Sequence, residues 1–351
     1  MRAMIAKEFR ELTRDHRTLA MTIVLPILLL VVFGYAANFN VEHVTTALIG
    51  DKTAAAAERL PDFFDVTEEL VGSDLEELLR SDQVDVVIDT STMPMTAYLD
   101  GSALFAAQSA QVVAGQSGGL LDTKILFNPD LTTSWVLVPA IAGLIMALIG
   151  TIITSIGLVR EKEAGTIEQL AVLPIRPSAV IIGKIAPYFV LAVADITVVT
   201  LLGLWLFAVP FNGPAWVYAL GAAFFLLVVL GFGVLASTLS ATTGQAIQTA
   251  MFFMFPQILL SGMVFPLEAM PWGVRWIGYI LPLTYFIKIA HGVLLRGAGF
   301  FDLWLSLLIL AAMATVILSA AILRFGRSLA PRQPRVSHRI ASEHDHARKA
   351  V

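Results

Sequence analysis

Three glutamates and a glycine stand out in a charged stretch between two apolar runs, REKEAGTIEQLAVLPIRPSAVIIGK. Glu161, Glu163 and Glu168 place carboxylates close together, and Gly165 permits a sharp turn among them. Nothing around them forms a pattern typical of acid-base catalysis. Their chemistry is therefore predicted to be recognition, in which the carboxylates meet basic groups of a partner.

The same stretch predicts a short helix. Thr166, followed three residues later by Gln169, is a capping-box pattern, and Pro174 would end the helix about two turns later. Leu170 and its apolar neighbours would lie on adjoining positions of this helix. A rigid helix at a membrane face can transmit force between a soluble partner and the membrane spans. The alternative interpretation is a solvated loop that only helps to set the topology.

Three polar residues fall inside apolar runs. Asp195 lies near the middle of one, where an ionised group costs at least about 2.5 kcal/mol, so we expect it to face protein or water. It is either a contact for substrate or a neighbouring helix, or a hydrogen-bonded structural aspartate. Gln248 and Gln257 lie in another run and either join helices by hydrogen bonds or line a pathway.

Patterns for enzyme chemistry are missing from the sequence. It has no G-x-x-x-x-G-K-[ST] phosphate loop, no H-E-x-x-H and no G-x-S-x-G, and no histidine within an apolar run has zinc-ligand spacing. Cysteine is absent, which excludes disulfides and thiolate sites. We therefore predict no catalytic residue, no metal site and no cofactor bound by this chain, and any ATP hydrolysis must occur on another polypeptide.

The elements that position these residues follow from the composition. Of the 351 residues, 57% are hydrophobic and 14% are charged, against roughly a quarter charged in soluble domains. The net charge of −4 gives no basic field for nucleic acid. Each of six apolar runs is long enough to span a bilayer. The predicted spans are 19–37, 135–159, 183–209, 216–239, 246–265 and 303–323.

The distribution of basic residues predicts the orientation. Lysine and arginine concentrate before the first run, after the second and after the sixth, which places both termini in the cytoplasm. Residues 1–18 form an amphipathic pattern that predicts an interfacial helix against membrane lipid, and 324–351 would be a cytoplasmic tail. A cleavable signal peptide is the alternative for the first run, but that run is longer than the usual signal core.

Two further regions differ from the spans. Residues 38–130 alternate strand-like and helix-like runs, which predicts a small extracytoplasmic α/β domain, with Ser73 as the N-cap of one helix. The strand-like runs are 45–50, 84–89 and 96–99, and the helix-like runs are 54–60, 74–80 and 103–121. Acidic residues far outnumber basic ones there, so the domain either has an acidic solvated surface or captures cationic ligands. Residues 266–300 are apolar but interrupted by proline and glycine, which predicts outer re-entrant broken helices.

The pattern E-K-E-x-G-T-x-E-Q-L resembles the type-2 permease family of ATP-binding cassette exporters. The likeness continues through the proline of P-I, through Gly183-Lys184 and Pro187-Tyr188, and through L-P-L-T-Y at 281–285 followed by Arg296. It implies that 160–182 couples the spans to an ATPase, and the large domain resembles that of the drug and antibiotic export branch. The coupling residues it implies are Glu161, Glu163, Gly165, Thr166, Glu168 and Leu170.

The resemblance also implies a function. The fold class would be an all-α membrane protein with six transmembrane helices, an N-terminal interfacial helix and an inserted α/β domain. It would be a permease subunit in the bacterial plasma membrane, exporting a hydrophobic or amphipathic solute. Its partners would be a cytoplasmic ATPase, which binds ATP and magnesium, and a second permease copy or paralogue. A ligand-binding membrane sensor or scaffold is the alternative, and an intramembrane hydrolase is a third reading.

Overall fold

The computed structural model describes residues 41–50, 53–70, 74–165 and 177–329. These residues form a mostly helical protein with one small mixed sheet, which confirms the predicted fold class at that level. The predictions for 1–18, 19–37 and 330–351, and for Thr166, Glu168 and Leu170, lie outside the described residues. The count of six spans and the interfacial helix therefore stay predictions.

The sheet has five strands, β1 Val44–Ile49, β2 Phe64–Leu70, β3 Val86–Asp89, β4 Met95–Asp100 and β5 Leu121–Leu126. Their order across the sheet is β2-β1-β3-β4-β5. The strand β1 pairs in parallel with β2 on one side and with β3 on the other, β3 and β4 are antiparallel, and β4 and β5 are parallel. Two of the strands, β2 and β5, were not predicted.

Three helices pack on this sheet, α1 Thr53–Ala57, α2 Leu75–Arg80 and α3 Leu104–Gln116. The sheet and these helices are called the sheet domain below. The central strands β1 and β3 are almost entirely buried, as expected for strands covered on both faces. The N-cap of α2 is Asp74, whose carboxylate accepts the backbone N–H of Glu76 at 3.0 Å. Ser73, the predicted cap, lies outside the described residues.

The helix α2 ends in a Schellman motif. The N–H of Asp82 donates to the carbonyl of Leu79 at 3.3 Å, and the N–H of Gln83 donates to that of Leu78 at 3.4 Å. This arrangement puts Asp82 in the left-handed region, with φ of 60°. Glycine is the usual residue at this position because it has no Cβ. An aspartate here indicates that its side chain serves another purpose.

The rest of the described chain is helical. Within this part, five long helices alternate with shorter segments that carry the chain between them. A 3-10 turn covers Leu267–Ala269, and a π-helical turn covers Gly292–Arg296. The helices are α4 Thr133–Glu163, α5 Pro177–Leu206, α6 Ala215–Leu239, α7 Thr243–Leu260, α8 Trp272–Gly278, α9 Pro282–His291 and α10 Phe300–Leu329.

Within the described residues, four helices are long and apolar enough to cross a membrane: α4, α5, α6 and α10. A fifth crossing exists if α8 and the helix from Pro282 to Arg296, bent against each other by 75°, count as one span. The helix α7, which covers most of the predicted fifth span, is not among the four. It has only 18 residues, several of them polar, and the chain turns after Leu260.

The centre of the helical part is formed where α4, α6 and α9 meet. The rings of Phe225 and Phe286 stack with centroids 4.8 Å apart, and both side chains are fully buried. Glycines let the helices approach: a Cβ on Gly143 would strike the ring of Phe286, and one on Gly221 would lie 2.8 Å from Ile289. By contrast, α5 and α10 leave most of their side chains uncovered by the described residues.

The helical part also contributes to the core of the sheet domain. The 3-10 turn carries Ala269 into the cluster formed by the strands and α3, where it is 8% exposed. The turn thereby fixes the sheet domain against the start of α8. This contact joins two regions that are far apart in sequence and brings their charged residues together.

Candidate functional site

The predicted coupling segment begins at the end of α4, where two side chains hold the loop before α7. The Glu163 carboxylate accepts the N–H of Thr243 at 3.0 Å and its hydroxyl at 2.9 Å. Lys162 donates to the carbonyl of Ser240 at 3.0 Å. A carboxylate at a helix N-terminus satisfies free N–H groups and interacts favourably with the helix dipole. The end of α4 is therefore tied to the start of α7.

This geometry gives Glu163 an intramolecular partner. Sequence reasoning expected its carboxylate to face a partner protein, whereas the structure places it on α7. Glu161 lies on the last turn of α4, and Gly165 follows the helix end with φ of 70° and open space where a Cβ would be. Gly165 therefore supplies a left-handed turn directly after α4.

The predicted intramembrane polar residues lie on two helices. Asp195 is half-buried on α5, and Gln248 is exposed near the start of α7. Gln257 is buried on α7, and its Oε1 has no hydrogen-bond partner among the described residues. An unpaired amide oxygen inside a membrane protein is costly, so Gln257 is suited to a contact with another polar group. Their roles in a pathway stay predictions.

A charged cluster that the sequence did not predict lies where the sheet domain meets the helical part. Arg296, whose side chain is 3% exposed, donates from Nη1 to Asp82 and, at 3.2 Å, to Asp100. Lys288 donates to the other oxygen of Asp82 at 2.9 Å. These four residues are called the junction cluster. It links the loop after α2 and the end of β4 to α9 and the π-helical turn.

Within the junction cluster, the charges of the basic residues favour the ionised form of Asp82, whereas burial raises the pKa of Asp100. Burial alone would raise the pKa of Asp82, but the charges of Arg296 and Lys288 and their hydrogen bonds hold it well below its usual range. Removing one member would leave a buried charge with fewer partners, which is strongly unfavourable. The cluster thus fixes the sheet domain to the bent pair of helices.

A cavity of about 120 Å³, called the junction cavity, lies beside this cluster. Asp85 and Glu268 line it from the sheet domain and from the 3-10 turn, respectively. One oxygen of Asp85 accepts the hydroxyl of Thr45 at 2.6 Å and its N–H at 3.2 Å. Burial and the charge of Glu268 raise the pKa of Asp85 to about 7. Its carboxylate is therefore poised to gain or lose a proton near neutral pH.

The sequence contained one signal for the junction cluster. Lys288 and Arg296 are basic residues in an otherwise apolar stretch that is predicted to lie on the outer side of the membrane. Basic side chains in such a stretch need acidic partners. Their acidic partners could not be chosen, because Asp82 precedes them by 206 and 214 residues in a domain rich in carboxylates. Only the tertiary fold selects Asp82 and Asp100.

An apolar groove of about 240 Å³ lies between α5 and α6. Leu201, Phe211 and Leu226 are among its lining residues, and its few polar atoms include the hydroxyls of Thr200 and Tyr218, which are 2.9 Å apart. Tyr218 also packs against Phe211. The groove is an apolar surface between two helices that are long enough to cross a membrane. The hydroxyls of Thr200 and Tyr218 provide one place in it where a ligand can form a hydrogen bond.

Comparison with known proteins agrees with this architecture. The family model described as ABC-2 family transporter protein matches residues 16–323. The chain is 30% identical to the probable multidrug ABC transporter permease YbhR of Escherichia coli, over 93% of this chain and 98% of that protein. It is 28% identical to the similarly named YbhS, over 94% and 97%. The inner membrane transport permease YhhJ is 32% identical over 60% of this chain and 56% of its own length.

The matched region includes the helical part, the sheet domain and the junction between them. ABC-2 permeases work with an ATPase partner, and the family together with the apolar helices indicates a multi-pass inner membrane protein that is a transport subunit rather than an enzyme. The predicted family is thus confirmed, and this chain belongs to the ABC-2 family of transporter permeases.

Proposed function

We propose that this chain is the membrane-spanning permease of an ATP-driven exporter that moves a hydrophobic or amphipathic solute outward. ATP and magnesium would be bound and used by a separate cytoplasmic ATPase. Two relatives that match nearly the full chain are named probable multidrug permeases, which supports export of such solutes. The apolar groove between α5 and α6 is consistent with a solute of low polarity.

The observation that carries the proposal is the link from Glu163 to Thr243. The predicted coupling segment, 160–182, begins at this link, so a force applied there acts on α4 and on α7 together. Glu161, Gly165, Thr166, Glu168 and Leu170 would form the surface that meets the ATPase. Gln248 and Gln257 lie on α7, which this link ties to α4, and Asp195 lies on α5, which continues from the segment.

The described helices provide only part of the wall that a pathway requires. The helices α5 and α10 present broad apolar surfaces, with Trp205 80% exposed and Phe301 87% exposed. We propose that membrane lipid and a second permease, either a copy or a paralogue, cover these surfaces. Light scattering of the detergent-solubilised complex tests this point: a mass with a single permease chain would contradict it.

Co-purification from native membranes tests the main proposal. The wild-type permease should retain an ATPase subunit that contains a phosphate loop, identified by mass spectrometry, and Glu168→Arg should lose it. Glu58→Arg, a charge reversal on the surface of the sheet domain, is the matched control and should retain the ATPase. A permease that purifies without any ATPase would favour the alternative, a ligand-binding sensor or scaffold.

A further inference from the structure

Two carboxylates from different parts of the fold meet between two cavities. Asp85 and Glu268 both line the junction cavity, and both also line a larger one of about 440 Å³, called the rim cavity. Asp85 precedes β3 in the sheet domain, whereas Glu268 lies on the 3-10 turn that inserts Ala269 into that domain. The pair therefore occupies the wall that the two cavities share.

The charges around this pair do not balance. Lys288 and Arg296, the basic residues of the junction cavity, are already paired with Asp82 and Asp100. Among the described residues, neither Asp85 nor Glu268 takes part in an ion pair. The rim cavity adds the carboxylates of Glu42 and Asp65, against Arg275 and a histidine. Excess negative charge thus faces Asp85 and Glu268 from the rim side, whereas the junction cluster carries two charges of each sign.

The junction cavity also contains polar groups without partners. The hydroxyl of Ser261, a residue that is 1% exposed, makes no hydrogen bond with any described residue, and neither does Nε of Arg296. Buried polar groups are nearly always paired in folded proteins, so unpaired ones that line a cavity indicate an occupant. Val136, Ile287 and Phe105 add apolar wall to the same cavity.

We propose that Asp85 and Glu268 bind the cationic end of an amphipathic organic solute in these two cavities. This inference rests on the proposed export function and names its substrate class: organic cations such as hydrophobic ammonium or phosphonium compounds. The carboxylates attract the charge, the apolar walls hold the adjoining hydrocarbon, and Ser261 and Arg296 can bond to polar atoms of the solute.

Water and metal ions explain the site less well. Water could satisfy Ser261 and Arg296, because the junction cavity has room for several molecules, but neutral water does not offset the charge of Glu268 or that of Asp85 in its ionised form. No group of three or more metal-binding side chains exists among the described residues, whereas Ca²⁺ takes about six to eight oxygen ligands and Mg²⁺ on one or two carboxylates relies on waters or phosphates for the rest. An organic cation needs no such coordination shell.

The sign of the ligand's charge provides the test. Tetraphenylphosphonium and tetraphenylborate have nearly the same shape and opposite charges. The purified permease in detergent, without an ATPase, should be stabilised against thermal unfolding by the phosphonium and not by the borate. Glu268→Gln and Asp85→Asn should each weaken the dissociation constant for the phosphonium about tenfold, as expected when one charged contact is lost. Glu77→Gln, a carboxylate on α2 that lines neither cavity, should leave it unchanged.

Three outcomes would overturn the inference: equal stabilisation by both ions, no stabilisation by either, or unchanged affinity in both carboxylate variants. A variant that misfolds is recognised by its elution volume, and the other variant then decides. Because binding is measured on the permease alone, the result is independent of whether an ATPase co-purifies. Loss of the ATPase would contradict the export proposal, whereas loss of charge-selective binding would contradict only the substrate class.

Discussion

Asp82 adopts a left-handed backbone conformation at the point where its carboxylate pairs with Arg296, 214 residues later in the chain. The conformation costs a non-glycine residue roughly 1 to 2 kcal/mol. The Schellman motif at the end of α2 requires it, and the same motif aims the side chain at Arg296 and Lys288. Local strain and a long-range ion pair are thus combined in one residue.

Replacing Asp82 separates these two effects. Asp82→Asn should lower the free energy of unfolding by about 3 kcal/mol, because Arg296 stays buried and keeps only Asp100. Asp82→Gly should lower it by about 1 kcal/mol less, since glycine relieves the backbone. Thermal or denaturant unfolding of the purified protein measures both. Equal stability of wild type and Asp82→Asn would show that the ion pair contributes nothing.

Glu163 should matter for coupling rather than for folding. Glu163→Ala removes both hydrogen bonds to Thr243, so movement at the end of α4 would no longer pull on α7. We expect export to fall about fivefold, the effect of about 1 kcal/mol, while ATPase association is kept. Glu163→Gln retains one acceptor and should lose less. Export in everted vesicles and co-purification measure the two properties; a joint loss would instead place Glu163 at the ATPase contact.

The contact between α4 and α6 should not tolerate a methyl group. In Gly233→Ala, the new Cβ would lie 2.7 Å from Cβ of Thr154 and 2.9 Å from the carbonyl of Thr151. We expect a loss of about 1 to 3 kcal/mol in stability because the helices must separate. Gly183→Ala on α5, where a Cβ would meet nothing within 4 Å, is the matched control and should be neutral or stabilising. Unfolding temperatures compare them.

Acidification should weaken phosphonium binding through Asp85. The pKa of Asp85 is raised to about 7, so its carboxylate gains a proton between about pH 8 and about pH 6, and the site loses negative charge. Affinity should therefore fall over this range in the wild type and stay flat in Asp85→Asn. The charged and titratable groups that line the two cavities with Asp85 are Asp82, Glu268, Lys288, His291 and Arg296 on the junction side and Glu42, His43, Asp65 and Arg275 on the rim side. Thr45 and Asp100 also interact with its carboxylate.

Stability should depend on pH in the opposite sense. The folded state holds the proton of Asp85 more tightly than the unfolded chain does, since the folded pKa lies above the ordinary value of 3.8. The contribution of this group is therefore fully present below pH 3.8 and decreases as pH rises to about 7. Asp85→Asn should remove this decrease. Unfolding temperatures across this range check it, and identical slopes in both proteins would contradict it.

The membrane helices were predictable because their signal is local. Runs of about 20 apolar residues identify α4, α5, α6 and α10 whatever surrounds them. The helix α7 is the exception. Its glutamines and threonines lower its hydropathy, and the chain turns at Ser261, so a run predicted to reach 265 ends as a helix at Leu260.

The sheet domain shows why weaker signals fail. The strand β5, Leu121–Leu126, was not predicted because its sequence LDTKIL does not alternate apolar and polar residues, and the helix-like run before it was predicted to extend to Leu121. The strand β2, Phe64–Leu70, carries an aspartate and two glutamates, which suit an edge strand and resemble a loop. The ladder to β1 overrides these weak local preferences.

The junction depends on information that no local pattern contains. Asp82 and Asp85 are two carboxylates among many in the acidic domain, and nothing beside them in the sequence distinguishes them. The partners of Asp82 lie on α9 and the π-helical turn, and Asp85 lies near Glu268 of the 3-10 turn. The pairing exists only after the sheet domain packs on the helical part.

The position of Ala269 determines the order in which the protein can be completed during synthesis. The five strands leave the ribosome early, but Ala269, which belongs to the core cluster of their domain, follows α4, α5, α6 and α7 in the chain. Lys288 and Arg296, the cationic partners of Asp82, follow later still. The contacts of the sheet domain are therefore completed only after the chain up to residue 296 has been synthesised.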